Sequence, residues 1–242
     1  MWHLHRFTSD GLAEAIKFFQ LSRQRDPALS APLSMMAYAR MVESLFGWRE
    51  SAQALNETYR LALEARDQDQ VDPWALAMLG AASAMLGQHE AAIEATEEAV
   101  KFNPSFAVGF NGLAFARLLN GEPAKAVAAI ERSLRLSPND FFLSMWLSTL
   151  STSHYMEGNY QSAHEIACRA IEHSPDYPMG HRSLASALGQ LGLAEEGRQA
   201  LSKYLELAPT YCTEVARRTM RFRKEHDFER YMDGLRRLGW DQ

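Results

Sequence analysis

A glycine, an alanine and a proline return at one phase along the chain, and that recurrence constrains the fold more than any single residue. Gly87, Gly121, Gly158 and Gly192 follow one another at intervals of 34, 37 and 34 residues. Ala92, Ala126, Ala163 and Gly197 keep the same intervals, and so do Pro104, Pro138, Pro175 and Pro209. Seven residues ahead of each glycine a Leu-small pair ends: Leu79-Gly80, Leu113-Ala114, Leu150-Ser151, Leu184-Ala185. Four features in one phase over four copies mark an array of helix-turn-helix units.

The segment from Trp74 to Pro104, WALAMLGAASAMLGQHEAAIEATEEAVKFNP, resembles a tetratricopeptide repeat. Its pattern also has a physical reading. The small member of the Leu-small pair lets the second helix of the unit approach the first closely. Ala92 and Ala99 lie seven apart, on the face of the second helix that meets this surface. Gly87 supplies the left-handed residue that ends the first helix, and Pro104 stops the second.

The phase gives five full repeats, over 30–72, 73–106, 107–143, 144–177 and 178–211. Residues 1–29 read as a truncated first repeat and 212–242 as C-terminal capping helices. The repeat over 30–72 is irregular, with extra residues around Gly47-Trp48-Arg49 and Asp67-Gln68-Asp69-Gln70. The expected fold is all-α: a right-handed α-solenoid of antiparallel helix pairs, a superhelix like that of tetratricopeptide proteins. No run of residues shows the period-two alternation of a strand.

Of the chain's 242 residues 47% are hydrophobic, enough for a sizeable core. No stretch nears the roughly 18 apolar residues of a membrane span, and the N-terminus lacks an apolar signal core. Two cysteines, Cys168 and Cys212, make no disulfide framework, which favours a reducing compartment. The expected location is cytoplasmic. Net charge is −5, unevenly spread. Residues 212–242 hold eight Lys/Arg against six acids, leaving 17 and 24 for the rest of the chain. The stretch RRTMRFRK (217–224) offers a basic patch, but it also suits a solvated helix C-terminus, and the acidic remainder repels phosphate.

Catalytic chemistry finds no support. The sequence has no phosphate-binding loop after a strand, no nucleophile elbow and no zinc-protease helix. His164 and Cys168 face one way on a helix, within reach of His154, yet zinc wants three or four ligands. Cys168 reads more simply as a small core side chain. Neither a cofactor nor a metal is expected.

The resemblance implies that the first helices line the concave side and that this side binds a protein or peptide. The implied groove comprises Tyr38, Met41, Trp74, Met85, Asn111, Phe115, Leu118, Met145, Ser148, Thr152, Tyr155, Met156 and Arg182. Repeats of this kind that clamp a carboxylate tail use Lys, Asn and Arg together. Only Asn111 and Arg182 have that character here, so the implied ligand is a segment with apolar anchors. The alternative is that these residues pack between adjacent first helices. Phe228, Tyr231, Met232, Leu235 and Leu238 form one stripe of a last helix, expected to cover the exposed side of the last repeat. Nothing equivalent caps the first, so Leu12, Phe18 and Phe19 are expected partly bare, favouring a homodimer.

The ending MRFRKEHDFERYMDGLRRLGW resembles the close of the helical-repeat region in bacterial class III adenylate cyclases and winged-helix transcription regulators. That likeness implies a second class of function, a regulatory region whose catalytic or DNA-binding domain lies outside these residues.

Overall fold

A computed structural model describes residues 9–45 and 48–240. Among them are thirteen α-helices and no strand. Gly47 and residues 1–8 of the segment expected to be a truncated repeat lie outside the described residues. The chain forms two compact units, Met1–Ala116 and Arg117–Gln242.

The first unit holds α1 (Ser9–Arg25), α2 (Ala31–Leu45), α3 (Ser51–Gln68), α4 (Pro73–Met85), α5 (His89–Phe102) and most of α6 (Ala107–Leu119). Helices α2 and α3 pack as one pair, α4 and α5 as another. The Leu-small rule is visible in atoms. A Cβ on Gly80 would collide with the Thr96 methyl group of α5 and stand 3.0 Å from the Ala92 carbonyl oxygen. Helix α4 is buried from Ala75 to Met85, because its run of alanines lets neighbours close on every side. Asp72 caps it, accepting from the Trp74 and Ala75 amides at 2.9 and 3.2 Å. The same carboxylate accepts the Ser34 hydroxyl of α2 at 2.6 Å, tying one pair to the next. In the irregular repeat Arg49 reaches Glu57 at 3.1 Å, and Glu57 also meets Arg40, so an ion-pair cluster anchors the extra loop.

The second unit holds α7 (Pro123–Leu136), α8 (Leu143–Glu157), α9 (Tyr160–His173), α10 (Pro178–Leu191), α11 (Ala194–Leu207), α12 (Thr213–Thr219) and α13 (Glu225–Arg236). Here α8 pairs with α9 and α10 with α11. Ser151 stands at the phase of Gly80, and its hydroxyl donates to the Ala163 carbonyl at 2.7 Å. Gly87, Gly121, Gly158 and Gly192 all have φ between 76° and 87°, the left-handed conformation their spacing predicts. Phe228, Met232 and Leu235 are almost wholly buried.

At the chain's start Leu12 is fully buried, against expectation, and Phe19 half-buried. Phe18 is 54% exposed, with Leu21 and Leu29 bare nearby. No helix among the described residues is long and apolar enough to cross a membrane.

Candidate binding faces of the two units

In the first unit the middle of α2 and the starts of α4 and α6 gather an aromatic ladder. The Asp72 cap places Trp74 in the first turn of α4, and its ring meets Tyr38 of α2 edge-on at 5.9 Å between centroids. Phe106, just before α6, meets the other side of Trp74 at 5.3 Å. Tyr38 and Met85 are buried, whereas Met41, Trp74, Asn111 and Phe115 are half-buried. The amide oxygen of Asn111 is shielded from solvent without a hydrogen-bond partner. Such an acceptor costs about 1–3 kcal/mol when left unmade.

In the second unit the corresponding face is filled by the chain itself. Helix α13 packs on α10 and α8, the first helices of two repeats. The sequence reading set its apolar stripe over the exposed side of the last repeat; the structure sets it across both of these helices. Arg182, Ser186, Gly189 and Gln190 share the face of α10 that receives it.

The crossing is a contact of backbones. A Cβ on Gly189 would collide with the Gly234 carbonyl oxygen, and a Cβ on Gly234 with the Ser186 carbonyl oxygen. Above the glycines, the Tyr155 hydroxyl of α8 enters the hydrogen-bond ladder of α13. It donates to the Arg230 carbonyl at 2.8 Å and accepts the Gly234 amide at 2.9 Å, the two ends of one helical step. Gln190 donates to the same hydroxyl at 3.0 Å and to Asp233 at 2.7 Å. Burial pushes the Tyr155 phenol above its usual range, so it keeps the proton these bonds require.

Arg182 is 2% exposed. Its guanidinium carbon stands 3.6 Å from the centroid of the Tyr231 ring, and its nitrogens reach the Tyr211 hydroxyl and the Tyr231 carbonyl at 3.4 Å. Tyr204 and Tyr231, buried beside it, are pushed well above the ordinary phenol range and stay neutral. The charge is thus held by a ring face and by dipoles. Tyr211 in turn stacks on Trp240, 5.8 Å between centroids.

The rest of the sequence-derived lining divides similarly. Leu118, Ser148 and Met156 are buried, Met145 and Thr152 half-buried. The Ser148 and Thr152 hydroxyls donate to the carbonyls of Ser144 and Ser148, one turn back on α8. The basic stretch is engaged in holding the tail. Arg217 lies over the Phe228 ring at 4.1 Å and pairs with Glu225 at 2.6 Å. Arg223 donates its amide to the Leu119 carbonyl at 2.8 Å and a guanidinium N–H to Asn120 at 3.0 Å. His164 and Cys168 approach to 3.7 Å, while His154 turns to Glu157 at 3.2 Å. Among the described residues no three His, Cys, Asp or Glu side chains gather as a metal site.

With this geometry established, comparison with known proteins adds the fold's relatives. The tetratricopeptide repeat family matches residues 75–106. No curated protein matches the chain. A chain from the crystal structure of the APC/C hetero-tetramer Cut9-Hcn1 superposes with a TM-score of 0.71 at 14% identity. That match covers 89% of this chain and 40% of that one, so the present chain spans well under half of its relative. TTC0263, a thermophilic tetratricopeptide protein of Thermus thermophilus, matches with a TM-score of 0.59 at 18% identity, covering 82% of this chain and 98% of that one. MamA 41-end from Desulfovibrio magneticus RS-1 gives 0.53 at 18%, covering 72% and 96%. At these identities the likeness is one of fold: helical pairs of the tetratricopeptide kind.

Proposed function

We propose that the chain is a non-catalytic interaction module whose first-helix face binds a protein segment carrying apolar anchors. The observation that carries this reading is the ladder of Tyr38, Trp74 and Phe106, with Phe115 half-buried on α6. Aromatic side chains give contact area at small entropic cost. The hetero-tetramer from which the Cut9 match comes fits a role in assembly. The tail's likeness to the regulatory regions of cyclases and winged-helix regulators fits the same role inside a longer protein, and the reading frame upstream of the gene separates the two cases.

The test begins with capture of partners on the native chain, followed by calorimetry of each captured partner. Phe115→Ala and Trp74→Ala are each expected to weaken binding at least ten-fold while the helical circular dichroism spectrum is retained. Full binding by both variants would sink the reading.

A further inference from the structure

The seat of α13 is built unlike the interior of a repeat pair. Its floor is polar: Arg182, Gln190 and Tyr155 all reach α13 with hydrogen bonds. Its satisfaction is incomplete. The Ser186 hydroxyl, the Trp240 indole nitrogen and one Asp227 oxygen are buried with no hydrogen-bond partner. A buried polar atom left unpaired, and a buried guanidinium whose bonds go to neutral oxygens alone, both regain water when the seat opens. Opening is therefore less costly than the apolar stripe of α13 by itself suggests.

The tail's attachment is equally suited to release. Residues 220–224 join α12 to α13 outside any α-helix, with Arg221, Arg223 and Lys224 exposed. Of the charged pairs on α13, Arg236 with Glu229 and Arg237 with Asp233 lie within the helix and its C-cap and survive its release, and Arg217 with Glu225, which joins it to α12, is open to solvent and worth little. What fits α13 to this seat is its shape: apolar residues on one stripe and a glycine where two backbones cross.

We propose that α13 is a displaceable internal ligand, filling a helix-binding groove floored by α8 and α10 that a partner's amphipathic helix takes over. The partner helix must carry a glycine at the crossing point, since anything larger meets the Ser186 carbonyl. It must also present apolar residues at the positions that Phe228, Tyr231, Met232 and Leu235 hold around Gly234. This rests on the reading of the first-helix face as the binding face, but concerns the second unit alone.

The test uses the chain's own segment as probe, so it needs no identified partner. A fluorescein-labelled peptide of residues 221–242 is titrated into the full chain, native and with Gly234→Leu or Gly189→Leu. Gly234→Leu ejects α13 and leaves the groove intact, so it is expected to bind the probe at least ten-fold more tightly than the native chain. Gly189→Leu ejects α13 and fills the groove, so it should not bind. Equal binding by the two variants, or none by a folded Gly234→Leu chain, overturns the proposal. Hydrogen exchange on the native chain supplies a measurement that no variant's misfolding can spoil. Amides of α13 are expected to exchange at least ten-fold faster than those of α10, and equal protection overturns the proposal. If native chains trade α13 with one another, seen as energy transfer between two labels, the occupant is a second copy and the partner assignment falls. Loss of partner binding through Trp74 and Phe115 leaves all these outcomes unchanged, so the two readings fail separately.

Discussion

Gly80 and Gly189 each stand where two helices cross, and they differ in what the glycine faces. Gly80 of α4 faces the methyl group of Thr96, a side chain that can rotate, although its hydroxyl is bonded to the Ala92 carbonyl at 2.8 Å. Gly189 of α10 faces the backbone of Gly234, which can move only if the whole of α13 moves. The first contact belongs to a repeat pair and is one of many that hold it. The second joins the repeats to a segment that follows them. A contact between side chains yields gradually, whereas a contact between backbones is either made or lost.

The largest effect should come from breaking the second contact. Gly189→Ala is expected to cost about 3 kcal/mol or more of docking, because overpacking against backbone has no rotamer to relax into. Trypsin should then cut at Arg221, Arg223 and Lys224 far faster than in the native chain, while the repeats keep their helical signal. Gly80→Ala sharpens the comparison from the other side. It should cost roughly 1–3 kcal/mol in thermal or urea unfolding as Thr96 turns aside, with no change in tryptic cleavage of the tail. The smallest effect is a control at the start of α7. Hydrogen bonds from Arg117 first and Lys125 second hold the Glu122 carboxyl at about 2. A lowered carboxylate stabilises above its unfolded value of about 4.3 and loses that contribution as pH falls towards 2. Solvent screening keeps the contribution below about 1 kcal/mol. Glu122→Gln should therefore melt slightly early at pH 7 and together with the native chain at pH 2.

The repeats were legible because each rule acts within a few residues. A left-handed helix end needs glycine, and a close pair needs a small residue one helix earlier; Gly87, Gly121, Gly158 and Gly192 follow the first rule and Gly80 and Ser151 the second. The seat of α13 was less legible. The stripe of Phe228, Tyr231, Met232 and Leu235 tells that the helix buries one face, but a stripe carries no address. The address lies in residues far apart in sequence: Tyr155, Arg182 and Gly189 meet Gly234 and Tyr231 only once the repeats have stacked. A signal was present in Gly234, a poor helix former set beside apolar residues in the middle of α13. A glycine in that place marks a close approach. Burial of Leu12 was missed for a related reason, since α1 has α2 to pack on.

The Gly189–Gly234 crossing also bears on how such a sequence can drift. A side chain arriving at either position removes α13 from its seat, and a second change at the other position does not restore it, because each glycine is pressed against main chain and not against its partner's missing side chain. No compensating pair exists. Descendants of this sequence therefore have two stable courses: both positions stay glycine together, or the selective hold on both relaxes together once α13 ceases to dock. Positions 189 and 234, 45 residues apart in the numbering, would behave in inheritance as a single site.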